Sequence, residues 1–371
     1  MKKIIYIFMS LAALFSVAGC DDFLDKQPQS SVTPSSYFKA EADLAAYSIN
    51  LYAFTSIGPG SYGISTFGSD NGTDNQAAVD YSSFWVPGEW RVSATSGVWN
   101  FSQIRHCNYF LEQVLPKHEA GEIQGSAANI RHYIGEIYLI RAYAYFNMLQ
   151  NIGDCPIVET ALPDQEEVLV EASKRQPRHK VARFILSDLD KAAQMLLETS
   201  PAGKTRVGKS VAHLLRSRVA LYEGTWLKHH KGTAFVPGGQ GWPGKTEDAS
   251  GLNIDSEISY FLTEAMASAK AVGEEIVGKL TENTDTEEGM DVSFKTLNPY
   301  YVMFCDYSLE NYPEVLMWRE YNEAQGVTHN IQMQLMRNGG GTGWTRGLVN
   351  SFLMENGLPV YASGSGYNPD W

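Results

Sequence analysis

The sequence predicts a mostly α-helical protein, built from stacked helix pairs with long irregular loops and a few short strands. Three observations predict this fold class. Apolar residues recur at helical spacing in several segments, Gly and Pro follow the ends of these segments, and strand-like runs are few and short. The predicted helices span 37–54, 98–115, 129–149, 177–197, 210–226 and 254–277.

The segment 129–149 is the clearest of these helices. Its apolar side chains, Ile134 and Ile137 among them, cover one broad face of the kind that a helix buries against its neighbours. Gly153 and Pro156 follow, and both residue types are typical of helix ends. The segment therefore predicts a strong helix that ends before Gly153.

Small and large residues alternate within two of the predicted helices, in 137–146 (IYLIRAYAYF) and 211–221 (VAHLLRSRVAL). Small residues let helix backbones approach each other and large ones fill the groove, as in tetratricopeptide-type pairs. The repeats are degenerate, so the sequence predicts TPR-like stacking of helix pairs rather than a regular repeat.

The segments between the helices differ in composition from the helices themselves. Residues 57–97 are rich in Gly, Ser, Thr, Asn and Asp and contain scattered aromatic residues. Such a stretch in a compact domain is more often a functional loop region than filler. Segments rich in Gly and Pro at 236–251 and 338–347 separate later elements. Short strands are predicted at 157–158, 168–170 and 315–317.

The composition excludes several classes of protein. Of the 371 residues, 44% are hydrophobic and 19% are charged, which excludes a disordered chain. The 42 Asp and Glu residues outnumber the 29 Lys and Arg residues, so the formal net charge is -13. A chain this acidic is a poor candidate for nucleic-acid binding, because a basic surface must neutralise the phosphates. We therefore expect no nucleic-acid partner.

The N-terminus is predicted to be an export signal followed by a lipid attachment site. Two lysines precede an apolar run over 4–15, which is too short to span a bilayer comfortably. Residues 17–20 (VAGC) resemble the bacterial lipobox. This order predicts a signal peptide over 1–19 and a lipidated Cys20, with 20–36 as the lipid anchor and a Pro/Ser/Gln-rich linker. The alternative is that Cys20 lies buried in an ordinary N-terminal helix.

The remaining cysteines are Cys107, Cys155 and Cys305. Three thiols cannot all pair within one chain, and their spacing forms no C-x-x-C metal or redox motif. Cys107 lies on a predicted helix and is expected to be a small buried residue. The sequence leaves the disulfide state of the three cysteines open.

Several segments of the body carry a resemblance to a known family. They are 135–146 (GEIYLIRAYAYF), 153–158 (GDCPIV), 206–222 (RVGKSVAHLLRSRVALY), 312–317 (YPEVLM) and 352–360 (FLMENGLPV). Together with the lipobox, and in this order, they resemble the SusD/RagB family of starch-utilisation-type outer-membrane lipoproteins. The resemblance implies a SusD-like helical domain over 37–371. Members usually continue further, so we expect this domain to be incomplete at its C-terminus.

The resemblance also implies a function. It predicts a lipoprotein anchored in the outer membrane and facing the cell exterior, which binds a glycan or other nutrient and delivers it to a SusC-like TonB-dependent transporter. Capture and gating break no bond, so we expect no catalytic residue, metal or cofactor. The alternative is a surface glycoside hydrolase, which requires two carboxylates facing each other across a cleft.

The aromatic-rich loop region is predicted to bind the ligand. Trp85, Trp90 and Arg91 lie close together in it, with Asp70 and Asn71 upstream. Sugar rings stack on aromatic faces, while their hydroxyl groups pair with carboxylate, amide and guanidinium groups. The alternative is that Asp70 and Asn71 cap loops and form turns, and that the two tryptophans belong to the core.

Four other tryptophans are assigned by their position along the chain. Trp99 leads a predicted helix and Trp226 ends one, so both are expected to be core residues. Trp242 and Trp344 lie in Gly-rich loops and are secondary candidates for ligand binding.

A text match to a phosphate-binding loop occurs at 203–210 (GKTRVGKS). Such a loop follows a buried strand, yet the preceding segment 181–197 has helical spacing and carries charged residues. No strand ending in Asp follows to hold Mg²⁺. The segment is therefore predicted to be a turn and a helix start, with Ser210 as the capping residue.

Overall fold

The computed structural model describes residues 37–52, 70–78, 86–89, 99–282, 298–328, 336 and 342–368. The predicted signal peptide, Cys20 and the linker lie outside these residues. The described part of the chain is mostly helical, which confirms the predicted fold class. In chain order its elements are α1 (Glu41–Asn50), β1 (Gln76–Ala78), α2 (Ser102–Glu119), α3 (Ala127–Ile152), α4 (Glu166–Ala172), α5 (Arg178–Met195), α6 (Lys209–His230), α7 (Ile254–Ile276), α8 (Pro299–Met303), β2 (Thr342–Trp344) and α9 (Arg346–Ser351).

All six predicted helices are present, and capping groups account for where the first and third of them begin. The carboxylate of Asp43 accepts the backbone N–H groups of Lys39 and Ala40, each at 3.0 Å, so α1 begins later than the apolar pattern suggests. Ser126 precedes α3, and its hydroxyl oxygen accepts the backbone N–H of Asn129. These bonds satisfy N–H groups that have no partner inside a helix.

Three of the local predictions are wrong. Residues 168–170 lie in helix α4, whose first turn holds Glu166 and Glu167 next to the positive end of the helix dipole. No strand forms at 157–158 or 315–317 either, and the strands in the described part of the chain, β1 and β2, are three residues long. A run of two or three apolar residues fits a buried loop as well as a strand, because periodicity cannot be read from it.

The capping prediction for Ser210 is also wrong. Helix α6 begins at Lys209 with Gly208 at the cap position, so Ser210 lies inside the first turn. Its hydroxyl donates to the Glu275 carboxylate across the α6–α7 interface, at 2.6 Å. Ser210 therefore ties two helices together instead of capping one.

Helix α3 lies at the centre of the helical stack. It packs against α1, α2 and α5, while α5 packs against α6 and α6 against α7. Its apolar face is fully buried, as predicted, with Ile134, Ile137 and Tyr145 among the largest side chains of the core. Close backbone approach occurs between α6 and α7, where a Cβ at Gly224 would lie 3.0 Å from the side chain of Leu262. A larger residue at this crossing would therefore have to displace the side chain of Leu262.

Buried arginines join successive helices. Arg141 of α3 forms two hydrogen bonds to Asp188 of α5, at 2.7 and 2.8 Å, and a third to Asn108 of α2 at 2.8 Å. Arg178 of α5 donates to Glu223 of α6 at 2.8 Å. All of these side chains are buried, so each charge has its compensating partner inside the protein.

A third buried group centres on Glu136 of α3. Its carboxylate accepts Nε of Arg206 at 2.9 Å and the hydroxyl of Tyr52 at 2.8 Å, and His132 lies 3.2 Å away. Burial by itself would raise the pKa of Glu136, but the hydrogen bonds from Arg206 and His132 hold this pKa below its ordinary value. Arg206 also donates to Ser48 of α1, so the group connects α1, α3 and the segment before α6.

We predict that Arg141→Ala destabilises the protein by about 3–5 kcal/mol, because it leaves the buried Asp188 carboxylate without its counter-charge. Urea unfolding followed by circular dichroism measures this loss. Lys231→Ala is the matched control, since Lys231 pairs with Asp255 on the surface and exposed pairs contribute at most about 1 kcal/mol. Equal losses in the two variants would contradict the structural role given to Arg141.

Candidate functional site

Two of the predicted ligand-binding residues lie in the described part of the chain. Asp70 and Asn71 are both half-buried and open the segment 70–78. Trp85, Trp90 and Arg91 lie outside the described residues, so their role stays a prediction.

Asp70 and Asn71 hold a tight turn that leads into β1. The hydroxyl of Thr73 donates to the backbone oxygen of Asp70 at 2.8 Å and to its carboxylate at 3.1 Å. The side-chain oxygen of Asn71 accepts from Gln76 at 3.0 Å. These bonds are those of turn-forming residues, and they fix the positions of a carboxylate and an amide at the edge of the ribbon.

The ribbon brings this turn to a segment far away in the sequence. β1 pairs antiparallel with β2, and Gln76 stands opposite Trp344. The backbone N–H of Thr345 donates to the carbonyl of Asn75 at 2.9 Å, and its hydroxyl donates to the carbonyl of Asp74. Trp344, a secondary candidate by sequence, therefore lies beside the turn of Asp70.

The rings of Trp344 and Phe352 form an exposed pair next to this turn. Their side chains are 70% and 52% exposed, and the ring centroids are 5.9 Å apart with a tilt of 30°. Large aromatic side chains of soluble proteins are usually much more deeply buried. Two neighbouring exposed rings beside fixed carboxylate and amide groups suit a ligand with both C–H faces and hydroxyl groups, as sugars have. We call Trp344, Phe352 and the turn 70–76 the ribbon site.

Trp99 is not the core residue that its position suggests. It is 44% exposed, because helix α2 begins only at Ser102 and leaves Trp99 in the segment before it. Its ring stacks against Phe101 at 6.1 Å, and the guanidinium of Arg175 lies 4.7 Å from its centroid. Trp99 and Phe101 form one wall of a cavity of about 310 Å³.

Trp226 and Trp242 are half-buried. Trp226 packs against the core, with the guanidinium of Arg178 4.2 Å from its ring centroid, which agrees with its predicted place. The indole N–H of Trp242 donates to the Asp154 carboxylate at 2.7 Å. Trp242 lines a second cavity, of about 610 Å³, near the N-terminus of α5.

The segment 203–210 packs against other parts of its own chain and does not follow a strand, as a phosphate-binding loop would. Helix α5 precedes it, and the backbone N–H of Lys204 donates to the carboxylate of Glu310 at 3.1 Å. The ammonium of Lys204 donates to the carbonyl of Tyr312 at 2.6 Å. A Cβ at residue 208 would lie 2.5 Å from the carbonyl oxygen of Glu198, so Gly208 is required by close backbone approach. The loop thus binds groups of its own chain.

Neither a metal site nor a membrane-spanning helix is present among the described residues. They contain no group of three or more His, Cys, Asp or Glu side chains placed to hold a metal ion. No helix in the described ranges is both long and apolar enough to cross a bilayer. Cys107 and Cys155 are buried and Cys305 is exposed, and none of the three is bonded to another. Burial raises the pKa of the Cys107 thiol to about 12, as expected for an inert core residue.

Comparison with known proteins gives consistent matches. The family model for SusD-like proteins, described as "Starch-binding associating with outer membrane", matches residues 22–221. SusD-like protein P2 of Formosa agariphila is 25% identical over 264 residues, which are 64% of this chain and 46% of that protein. A SusD-like protein of Bacteroides ovatus is 22% identical over 365 residues, which are 95% of this chain and 62% of that protein.

A solved structure extends the likeness to the fold. The SusD-like carbohydrate-binding protein of Bacteroides fragilis superposes with a TM-score of 0.52 at 14% identity, over 87% of this chain and 55% of that one. This chain spans about half the length of the curated relatives that it matches.

Proposed function

Because the chain belongs to the SusD-like family, we propose that it binds an oligosaccharide or other nutrient at the cell surface and delivers it to a SusC-like TonB-dependent transporter. In this proposal Cys20 carries the lipid that anchors the protein to the outer membrane, with the helical domain facing the cell exterior. The protein captures its ligand and breaks no bond in it. The description of the family as starch-binding and associated with the outer membrane supports the proposal.

The observation that carries the proposal is the exposed ring pair of the ribbon site. Trp344 stands opposite Gln76 on the ribbon, and Phe352 lies beside it. Exposed indole and phenyl rings gain free energy when the C–H face of a sugar covers them, because apolar surface leaves water. The carboxylate of Asp70 and the amide of Asn71 lie at the same edge and offer partners to sugar hydroxyls.

The proposed anchor keeps this site close to the membrane. A tether over residues 20–36 reaches at most about 60 Å even when fully extended. Several acyl chains, each contributing about 0.8 kcal/mol per buried CH₂, hold such a protein firmly at the bilayer. A ligand bound at the ribbon site therefore stays within reach of a transporter in the same membrane.

We predict that Trp344→Ala weakens glycan binding about tenfold, which corresponds to about 1.4 kcal/mol. Calorimetric titration against maltooligosaccharides, β-glucan, xylan and mannan oligosaccharides first identifies the ligand, and the variant is then titrated with it. Trp344 is 70% exposed, so the substitution leaves the helical core intact. Phe235→Ala is the matched control, because Phe235 is also an exposed ring but lies in the loop after α6, where it contacts Trp226. Unchanged affinity in Trp344→Ala would remove the ribbon site from the proposal.

We predict that the protein incorporates radiolabelled palmitate and appears in the membrane fraction of the cell. The Cys20→Ser variant should incorporate none, because the hydroxyl cannot take the place of the thiol in the lipidation reaction. Circular dichroism of the two proteins controls for folding. A labelled Cys20→Ser variant, or an unlabelled chain found in the cytosol, would overturn the proposed anchor.

A further inference from the structure

We propose that the cavity beside Trp242 is a second saccharide site, and that it takes an acidic sugar bearing carboxylate or sulfate groups. This inference rests on the proposed function, because it assigns a further ligand class to a glycan-binding protein. We call the cavity the basic cavity. It is lined by Asp154, Lys174, Arg175, Gln176, Trp242, Lys245 and Asp248, together with Pro177, Pro243 and Gly244.

The basic cavity is lined by positively charged side chains, although the protein as a whole is acidic. The chain has a formal net charge of -13, yet Lys174, Arg175 and Lys245 all line this one cavity. All three side chains are exposed and in contact with solvent. An anion that approaches an acidic protein is repelled by its overall field, so a local group of cations marks the place where it can bind.

Of the two acidic residues that line the cavity, Asp154 already has its hydrogen-bond partners within the protein. One oxygen of the Asp154 carboxylate accepts the backbone N–H of Arg178 at 2.8 Å, and the other accepts the indole N–H of Trp242 at 2.7 Å. Asp154 therefore serves to position the ring and the start of α5. Its bonds direct its oxygens toward the protein, while the three cationic side chains are exposed to solvent.

The cations keep donors that a ligand can use. The guanidinium of Arg175 lies 4.7 Å from the centroid of the Trp99 ring, a cation–π contact that does not use the N–H groups as hydrogen-bond donors to an acceptor atom. Lys174 forms an ion pair with Glu171 in which both side chains are more than half exposed. Exposed pairs of this kind are weak and exchange easily for a ligand anion.

Trp242 gives the cavity the surface that a sugar ring requires. Its indole is fixed by Asp154 and lies against Gly244, where an added Cβ would be only 2.2 Å from the ring. The ring is half-buried, so part of its surface faces the cavity. A volume of about 610 Å³ is in the range of ordinary ligand sites and suits a short oligosaccharide. Gln176 and Asp248 add partners for hydroxyl groups.

Calorimetric titration of the full chain with α-1,4-linked tetragalacturonate tests the inference, with its methyl ester as the neutral control of identical rings. A sulfated tetrasaccharide of the same length forms a second arm that distinguishes sulfate from carboxylate as the preferred group. We expect at least one acidic probe to bind about tenfold or more tightly than the methyl ester at low salt, and added NaCl to remove the difference. Equal affinities for the acid and ester forms, together with no binding of the sulfated probe, would overturn the inference.

A pair of double variants tests the place of binding. Lys174→Ala/Lys245→Ala should weaken binding of the acidic probe about tenfold, since each exposed contact contributes a modest share. The control is Lys270→Ala/Lys279→Ala, which removes two exposed lysines that do not line the cavity. Wild-type affinity of the first variant for the acidic probe would overturn the inference. A protein that binds neutral oligosaccharides but no acidic probe refutes the basic cavity and leaves the proposed function intact, whereas a protein that binds no saccharide refutes both.

Discussion

The fold depends on buried arginines whose counter-charges lie on neighbouring helices. Arg141 connects α3 to α5, and Arg178 connects α5 to α6. Arg216 of α6 then pairs with Asp190 of α5 at 2.7 Å and with Glu264 of α7. Leaving the charge of Arg141 or Arg178 unpaired would cost several kcal/mol, so the helices pack in the register that pairs these buried charges. We infer that the pairs fix the offset between helices, while the apolar faces supply most of the stabilisation.

The helical stack positions the basic cavity, because Asp154 accepts the backbone N–H of Arg178, the first residue of α5. The carboxylate of the buried Glu136 accepts a hydrogen bond from Arg206. In the turn after Ala202, the backbone N–H of Lys204 donates to the Glu310 carboxylate, which also accepts the indole N–H of Trp318. Two three-residue strands, β1 and β2, join the turn of Asp70 to Trp344. Residues far apart in sequence therefore meet at the ribbon site.

The sequence predicted the helices well because their signal is long. Apolar residues over 129–149 repeat often enough to identify α3, and the buried Cys107 followed from its place on such a helix. Short elements contain too few residues to show a periodic pattern. Residues 168–170 looked like a strand and are helical, and β1 and β2 were not predicted, because three residues show no period.

The candidate site was predictable only in part. Aromatic and amide-rich composition pointed to the loop that contains Asp70 and Asn71, but the pairing of that loop with Trp344 depends on tertiary structure. The exposure of Trp99 was missed because the helix was expected to begin earlier than Ser102. The basic cavity was missed because its lysines lie on separate segments, and a cluster formed by folding leaves no signal in a linear pattern.

The central claim is that this chain holds saccharides on exposed rings and leaves them intact. Equilibrium dialysis against a mixed saccharide pool, followed by chromatography of the retained material, tests the claim most directly. The account predicts that the protein side becomes enriched in at least one oligosaccharide, and that this oligosaccharide is recovered at its original length. Equal concentrations of every saccharide on the two sides, or retained chains shorter than those supplied, would contradict it.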